Sequence, residues 1–312
     1  MLRITWDNLP ETVRRQVEAI LGSPVVSHTS HATGFSPGTA DRLVCRDGHV
    51  AFVKAVHPRL NARTPELHRA EARIMTAMPG GLPVPRWIGG FERDDWVVLV
   101  LEYLDGTAHP DLPWAADQFS PVLDACFELS ERLTPSPLPD LPKASDELGG
   151  MWRALGRLCE APPPGLDPWL NERLPGLHDA ARRSLAVLDG DTLTHCDLRA
   201  DNILVGTDGQ VWFIDWPWAL LAAPWLDAAL LTANFAHTGD PASTDVFLRR
   251  IAEHFDVSPS FGADTLVGLL GFCVEACRLP AEPGVATVRD LQRRIADGLT
   301  AWAKESTLLT LT

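Results

Sequence analysis

The residues best suited to chemistry lie in one stretch, where oxygen-bearing side chains stand at the outer ends of two short apolar runs. The first run is Ile203–Val205 and the second is Val211–Ile214. Asn202 comes just before the first run, and Asp215 comes just after the second. Amide and carboxylate oxygens are ligands that suit Mg²⁺, which completes its coordination shell with water and phosphate. The stretch therefore predicts a site for a divalent cation bound to a nucleotide.

A polar turn between the two runs predicts a β-hairpin that brings these ligands together. Asp208-Gly209 is a strong signal for a two-residue turn. With that turn, Asn202 lies directly opposite Asp215, and their Cβ atoms are about 5 Å apart. A longer turn would shift this register. We therefore expect the amide and the carboxylate to share one cation across the open end of the hairpin.

A further carboxylate, Asp197, lies five residues before Asn202 and suits a different task. In this position it can orient an acceptor hydroxyl and accept its proton. A calcium-binding loop is a poor alternative, because Arg199 occupies a ligand position and the loop glycine and final glutamate are missing. The stretch thus predicts proton transfer next to a metal-bound phosphate.

The sequence HCDLRADN, which begins at His195, resembles the catalytic loop of the protein-kinase-like superfamily, and FID resembles its metal-binding aspartate. It is most similar to the aminoglycoside phosphotransferase and choline kinase branch, whose loop reads His-x-Asp-x-x-x-x-Asn. The resemblance implies an α+β, two-lobed protein-kinase-like fold with ATP and Mg²⁺ as cofactors. It also implies Asp197 as catalytic base, Asn202 and Asp215 as Mg²⁺ ligands, and His195 as a brace for the loop.

A lysine and a glutamate in the first hundred residues test this resemblance. Kinase-like enzymes hold the α- and β-phosphates with a strand lysine that a helix glutamate braces. Lys54 shares a predicted strand face with Phe52, where an uncompensated charge would be costly. Glu71 lies four residues after Leu67 in an apolar helix stripe, so it also points inward. We therefore expect Lys54 to pair with Glu71, with Glu66 as the alternative partner.

The remaining nucleotide contacts are predicted in two short segments. The phosphate loop lacks the Gly-x-Gly-x-x-Gly pattern and offers Gly34 and Gly38, with Ser36 as a hydrogen-bonding side chain. Val100–Gly106 resembles the connector between the lobes, whose backbone receives the adenine. The expected contacts there are Glu102, Tyr103 and Leu104. ATP is the expected nucleotide, with GTP as the alternative.

Departures from the protein kinases indicate a small-molecule acceptor. Asp215 is followed by Trp216-Pro217 instead of Phe-Gly, and no Ala-Pro-Glu segment follows. Trp216 is predicted to contact the acceptor. Arg199 is placed to neutralise the γ-phosphate during transfer, with a plain surface arginine as the alternative. Cys196 stands where relatives often carry glycine, and we interpret it as a packing residue.

The hydrophobic periodicity predicts a strand-rich lobe followed by a helical one. Residues 1–106 form the predicted nucleotide-binding lobe, with a strand at Val50–Val56, a helix near Glu11–Leu21 and a second helix with Thr64 as N-cap. Residues 107–312 form the predicted catalytic and substrate-binding lobe. Its helices are expected at Pro121–Leu133, Glu147–Cys159, Pro168–Leu188, Trp225–Ala236, Asp245–Phe255, Thr265–Arg278 and Val285–Lys304.

The composition predicts a cytoplasmic protein without membrane or nucleic-acid partners, and we expect a monomer or a homodimer. Hydrophobic residues make up 46% of the chain and charged residues 22%. The N-terminal residues have no apolar signal-peptide core. The six cysteines show neither disulfide nor zinc spacing, which is typical of reduced thiols. A net charge of −14 argues against a nucleic-acid surface.

The negative charge is unevenly distributed along the chain. Up to Gly106, 12 basic residues balance 12 acidic ones, so the excess lies entirely in the following residues. This excess either aids solubility or attracts a cationic acceptor. Glu275 is the only charge between Leu266 and Cys277. Buried there, it needs a partner, which would be Arg278 or an amine of the substrate.

Together these features predict an ATP-dependent O-phosphotransferase that acts on a hydroxyl group of a small molecule. An aminoglycoside-like or other antibiotic is the expected acceptor, which would make the enzyme a resistance factor. One alternative is a kinase for a metabolite such as choline, a sugar or an amino alcohol. Another is a nucleotide-binding pseudoenzyme that acts as a regulator.

Overall fold

The computed structural model describes residues 4–31, 37–280 and 287–311, and these residues form two compact units. The first unit contains the described residues up to His109 together with Asp201–Trp218. The second contains Pro110–Ala200 and the described residues from Ala219 onwards. The predicted hairpin therefore groups with the N-terminal unit. No helix among the described residues is both long and apolar enough to cross a membrane.

An antiparallel five-stranded sheet dominates the first unit. Its strands are β1 (Val25–Ser30), β2 (Thr39–Cys45), β3 (Val50–Val56), β4 (Trp87–Arg93) and β5 (Trp96–Glu102), in the spatial order β1-β2-β3-β5-β4. Helix α1 (Glu11–Leu21) has the predicted bounds and ends at Gly22, whose left-handed φ of 74° suits glycine. Helix α2 covers Thr64–Ala77. Asn61 accepts hydrogen bonds from the backbone of Arg63 and Thr64 at its start, so Thr64 is not the cap.

The two faces of the sheet pack against different helices because strand side chains alternate. On one face, Val53 and its strand neighbours two residues away join a core with Val13 and Val17 of α1. On the other face, Val56 packs with Leu99 and with Ala72 of α2. Lys54 shares the parity of Val56, so its side chain lies on the α2 side of β3.

A smaller three-stranded sheet completes the first unit. Its order is β6 (Thr107–Ala108), β8 (Ile203–Gly206) and β9 (Val211–Phe213), with antiparallel pairing throughout. The backbone N–H of Phe213 also donates to the carbonyl of Pro83. These contacts explain why the hairpin clusters with the N-terminal residues and not with the helices that flank it in sequence.

The second unit is helical and holds one short antiparallel strand pair. The strands are β7 (Thr192–Thr194) and β10 (Leu220–Ala222). The helices are α3 (Ala116–Arg132), α4 (Ala144–Trp152), α5 (Ala154–Glu160), α6 (Pro168–Leu185), α7 (Leu226–Thr238), α8 (Thr244–Phe255), α9 (Pro259–Ala276) and α10 (Val288–Glu305). The predicted helix Glu147–Cys159 is therefore two helices, with a break at Arg153.

Candidate active site

A lysine with two carboxylates forms a charged cluster in the first unit. The Lys54 Nζ donates to Glu71 Oε1 at 2.7 Å and Oε2 at 2.8 Å, and to Asp215 Oδ1 at 2.8 Å. The sheet supplies the lysine, helix α2 supplies the glutamate, and the segment after β9 supplies the aspartate. The predicted Lys54–Glu71 ion pair is confirmed.

The three charges of this cluster differ in burial. The side chains of Lys54 and Glu71 are 15% and 3% exposed, whereas that of Asp215 is 47% exposed. Burial alone would lower the pKa of Lys54, but the charges of Asp215 and Glu71 and the hydrogen bonds to both outweigh burial and raise this pKa. The ammonium group therefore stays positive at neutral pH.

Glu71 also links helix α2 to the segment that carries Asp215. Its carboxylate accepts a hydrogen bond from the backbone of Trp216 in addition to those from Lys54. Burial raises the pKa of Glu71, the Lys54 charge opposes this shift, and the Asp215 charge adds to it. One buried carboxylate thus positions both the cation and the backbone next to Asp215.

The hairpin differs from the prediction in its register. Ile203 pairs with Phe213 and Val205 with Val211, and the Gly206 N–H donates to the Gln210 carbonyl. The loop therefore has three residues and ends at Gly209, whose φ of 83° is left-handed. This is the usual three-residue hairpin loop with a left-handed last residue. It shifts the pairing by one position.

The register change removes the predicted pairing of Asn202 with Asp215. The Asn202 carbonyl accepts a hydrogen bond from the N–H of Ile214. Asp215 follows the end of β9 with a φ of 68°, a left-handed value that aspartate adopts more readily than branched residues do. Strand alternation therefore no longer determines where Asp215 points. Its side chain is instead fixed by Lys54.

The donor set around Asp215 fits a cation with oxygen ligands. With both carboxylates ionised, the cluster of Lys54, Glu71 and Asp215 carries one excess negative charge, and the carboxylate at its edge is the exposed one. Asn202 carries an amide oxygen but is almost completely buried, so its part in a metal site stays a prediction. Among the described residues, no group of three or more His, Cys, Asp or Glu could hold a metal. A cation here would therefore need phosphate and water as further ligands.

Trp216 does not occupy the predicted position for acceptor contact. Its side chain is completely buried, and the indole N–H donates to the carbonyl of Phe213 at 3.1 Å. A tryptophan packed in this way presents no surface to a ligand. Trp216 anchors the chain after β9, and the prediction for this residue was wrong.

In the second unit, the loop that carries Asp197 is held by a carboxylate from helix α7. Asp227 Oδ2 accepts from the His195 backbone N–H at 2.6 Å, and Oδ1 accepts from the Cys196 N–H at 2.8 Å. His195 is completely buried, and its Nδ1 accepts from the N–H of Asp197 at 3.2 Å. This geometry matches the bracing role predicted for His195.

The backbone at Cys196 explains why this loop needs a brace. Its φ of 62° lies in the left-handed region, which glycine adopts most readily. The two hydrogen bonds that Asp227 accepts hold this conformation for a residue with a side chain. Burial raises the pKa of the Cys196 thiol well above its usual range, and Asp227 adds to this shift. A thiol with a raised pKa is mostly protonated, which agrees with the packing role predicted for this residue.

Burial also changes the acidity of Asp227 itself. The residue is 5% exposed, and burial raises its pKa to about 6, although the hydrogen bonds from His195 and Cys196 oppose the shift. At the other end of the loop, the Asn234 side chain accepts from the Ala200 N–H at 3.3 Å. Sequence reasoning missed both α7 residues as loop supports, because they lie 32 and 34 residues after their partners in the chain.

Arg199 lies next to Asp197 instead of on an open surface. One guanidinium nitrogen is 3.1 Å from Asp197 Oδ1, and the two side chains are 19% and 28% exposed. The surface alternative for Arg199 is therefore wrong. Its role at the γ-phosphate stays a prediction.

The predicted nucleotide contacts of the first unit are only partly described. Gly34 and Ser36 lie outside the described residues. At Gly38 a Cβ would lie 2.4 Å from the Ala55 carbonyl oxygen, so close backbone packing alone requires glycine there. This packing gives Gly38 a structural role whether or not it contacts phosphate.

The connector residues make contacts within the first unit. Glu102 Oε2 accepts from the Arg86 N–H, and the Leu104 carbonyl accepts from the Thr107 hydroxyl. The Tyr103 ring lies 5.0 Å from the Arg42 guanidinium. Adenine binding at Glu102, Tyr103 and Leu104 stays a prediction.

Glu275 has a partner that the sequence did not indicate. Arg157 donates to both of its carboxylate oxygens at 2.6 Å, from a position 118 residues earlier. Arg278, the predicted partner, donates instead to the carbonyl of Val274. The carboxylate is therefore compensated without a substrate amine, and its predicted substrate role loses its basis.

Comparisons with known proteins identify the family and the fold of this chain. A family model described as "Phosphotransferase enzyme family" matches residues 31–258. No curated protein sequence matches the chain. Choline kinase LicA from Streptococcus pneumoniae is similar in structure, with a TM-score of 0.54, 14% identity, and coverage of 93% of this chain and 98% of that one.

Two further solved structures have the same fold. A macrolide 2'-phosphotransferase type I gives a TM-score of 0.57 at 16% identity and covers 94% of this chain and 98% of its own. An aminoglycoside phosphotransferase APH(4)-Ia, in a ternary complex with ADP and hygromycin B, gives 0.57 at 12% identity with 95% and 99% coverage. The predicted two-lobed, protein-kinase-like α+β fold is thereby confirmed.

Proposed function

Because the chain belongs to the phosphotransferase enzyme family, we propose that it transfers the γ-phosphate of ATP to a hydroxyl group of a small molecule. The observation that carries this proposal is the Lys54 ammonium group, which bridges buried Glu71 and half-exposed Asp215. A cation fixed between two carboxylates is suited to bind phosphate without rearrangement. Preorganised charge of this kind is a main source of catalysis in phosphoryl transfer.

In this proposal, the first unit binds the nucleotide. Lys54 contacts the α- and β-phosphates, and Glu71 keeps the ammonium in position. Asp215 and Asn202 would hold Mg²⁺, which neutralises negative charge on the phosphates when bound. GTP in place of ATP is the alternative nucleotide, because the proposed base contacts are made largely by backbone groups of Glu102–Leu104.

The loop braced by Asp227 supplies the base. Asp197 orients the acceptor hydroxyl and accepts its proton as the oxygen attacks the γ-phosphorus, while the bond to the β,γ-bridging oxygen breaks. Arg199, already beside Asp197, stabilises the charge on the transferred group. Asp197 and Asn202 are five positions apart in the sequence, so their Cα atoms are at most about 18 Å apart.

The acceptor is expected to be an antibiotic or a small metabolite alcohol. ATP consumption should be measured with a panel that contains hygromycin B, a macrolide, neutral glycosides, nucleosides and choline. An antibiotic as the best acceptor supports a resistance enzyme, and choline or a sugar supports a metabolic kinase. If no alcohol is phosphorylated while ATP still binds, the pseudoenzyme alternative replaces the proposal.

The test of the proposal is the variant Asp197→Asn. We expect turnover to fall by about 10²–10⁴-fold, with ATP affinity almost unchanged, because a general base contributes to the transition state and not to nucleotide binding. The matched control is Asp201→Asn, which removes an exposed carboxylate from the same stretch. Turnover similar to wild type in Asp197→Asn would remove this residue from the mechanism.

A further inference from the structure

Two tryptophans separated by one proline follow Asp215, and they have opposite environments. Trp216 is completely buried, whereas Trp218 is 42% exposed. Pro217 fixes its own φ and restricts the residue before it, so the backbone between the two indoles has little freedom. The chain directly after Asp215 is thus anchored by one indole and presents the other to solvent.

The exposure of Trp218 is unusual for so large an apolar side chain. The other exposed large hydrophobic residues in the described part of the chain are aliphatic: Val26, Leu112, Val246 and Leu279. Tryptophan has the largest apolar surface of all residues, and exposing it without a function costs the most. A partly open indole next to a site of chemistry is therefore a candidate for ligand contact.

A charged neighbour orders the Trp218 side chain. The Arg63 guanidinium lies 5.4 Å from the centroid of the indole ring. Arg63 is the N-cap residue of α2, the helix that carries Glu71. A cation–π contact of this kind holds the ring without covering it completely. The indole is therefore oriented before any ligand binds, which lowers the entropic cost of binding.

Covalent geometry keeps this indole close to the predicted phosphate site. Trp218 is three residues after Asp215, so their Cα atoms are at most about 11 Å apart. Building on the proposed function, we propose that Trp218 binds the acceptor and that the acceptor presents an uncharged ring face to its indole. The sequence predicted acceptor contact for Trp216 and gave no role to Trp218.

The chemistry around Trp218 selects the class of acceptor. An indole face binds the C–H-rich face of a saturated ring, or an aromatic ring, through dispersion and burial of apolar surface. Arg63 places a permanent positive charge against the same indole. A cationic group of the acceptor at this position would be repelled by Arg63. The favoured acceptors are therefore glycosides or nucleosides that are uncharged where they contact Trp218.

The experiment compares acceptor kinetics of three variants with wild type. The acceptors are a methyl glycoside, uridine, hygromycin B and choline. For the best ring-bearing acceptor, Trp218→Ala should raise KM by about tenfold or more with a smaller change in kcat, and Trp218→Phe should stay within about threefold of wild type. The matched control is Trp169→Ala, because Trp169 also packs against an arginine, Arg173, in helix α6.

Nucleotide binding separates this proposal from the proposed function. Trp218→Ala should leave ATP affinity unchanged, because the indole is proposed to contact the acceptor and not the nucleotide. Phosphorylation with an unchanged acceptor KM in Trp218→Ala, or choline as the best acceptor, would overturn only the role of Trp218. Failure of the wild type to phosphorylate any alcohol would overturn both proposals.

Arg63 is tested as a positioning residue for Trp218. Arg63→Ala should raise the acceptor KM by about threefold, less than Trp218→Ala, and Arg63→Lys should recover most of the loss. In the Trp218→Ala background, Arg63→Ala should add nothing further, because the indole that it orients is gone. Additive effects of the two substitutions would show that Arg63 does not act through Trp218.

Discussion

The two units hold a buried carboxylate by different means. In the first unit, Glu71 is neutralised by the ammonium group of Lys54. In the second, Asp227 accepts two hydrogen bonds from backbone N–H groups of His195 and Cys196. Both carboxylates are almost completely buried.

The difference between them indicates what each carboxylate positions. A lysine can contact several anions at once, and Lys54 also reaches Asp215, so the Glu71 cluster holds a fixed cation that we propose binds phosphate. Backbone amides carry no net charge, so the role of Asp227 is to fix the conformation of the loop. The first arrangement fixes a charge, and the second fixes a backbone conformation.

The largest effect is expected when Lys54 is removed from its cluster with Glu71 and Asp215. Lys54→Met should lower phosphotransfer by about 10²–10³-fold, because the fixed charge next to the phosphates is lost. It should also lower the free energy of unfolding by about 3 kcal/mol or more, because Glu71 stays buried without its partner. Kinetics and urea denaturation of the same preparation measure both effects.

A double variant separates the stabilising role of Lys54 from its functional role. Lys54→Met with Glu71→Leu should recover much of the stability but none of the activity. Lys304→Met is the control, because this half-exposed lysine pairs with Asp167 and should contribute less than about 1 kcal/mol. Recovered activity in the double variant would contradict the phosphate-binding role of Lys54.

A second prediction concerns Asp227, which accepts hydrogen bonds from the backbone of the loop that carries Asp197. Asp227→Ala leaves two buried N–H groups without their acceptor, which should cost about 2–4 kcal/mol of stability. It should lower kcat more than it changes nucleotide affinity, because the loop with Asp197 loses its brace. Urea denaturation and ATP titration of the variant measure these quantities.

The control for Asp227 is another buried carboxylate of the same unit. Asp264 is 4% exposed and accepts two hydrogen bonds from the guanidinium group of Arg183. Asp264→Ala should be destabilised while kcat stays near that of wild type. Equal loss of kcat in both variants would mean that Asp227 acts only through general stability.

The pH dependence of stability tests the raised pKa of Asp227. The pKa of Asp227 is raised from 3.8 to about 6, so the folded protein binds the proton more tightly than the unfolded chain does. The contribution of this group to stability is complete below its unfolded pKa and is lost as the pH rises through about 6. The loss amounts to about 3 kcal/mol.

The measurement is the free energy of unfolding of wild type and Asp227→Asn between pH 4 and pH 8. Relative to the variant, which does not titrate at this position, wild type should lose stability as the pH rises. Parallel curves for the two proteins would show that Asp227 has an ordinary pKa.

The smallest effect is expected at Glu275, whose ion pair with Arg157 is half-exposed. Glu275→Gln should change stability by less than about 1 kcal/mol, as is usual for surface ion pairs. The acceptor KM should be the same as in wild type at low and at high salt. A raised KM that depends on salt would restore the role of this carboxylate in binding a cationic acceptor.

The sequence was sufficient where the signal is local. Helix α1 has its predicted bounds, because its apolar spacing and the glycine that ends it lie within twelve residues. The inward orientation of Lys54 and Glu71 followed from strand and helix periodicity. Two opposite charges on apolar faces then left an ion pair as the favourable arrangement. The kinase-like fold followed from the resemblance of HCDLRADN and FID to the motifs of a known superfamily.

Tertiary structure decided the features that depend on distant residues or on one backbone conformation. A left-handed Gly209 lengthened the hairpin loop and shifted its register, which no hydrophobic pattern could reveal. Packing buried Trp216 and exposed Trp218, although their sequence contexts are nearly the same. The partner of Glu275 is 118 residues away, and the brace of His195 is 32 residues away. Periodicity specifies which face of an element is buried, but only the assembled fold determines which groups meet there.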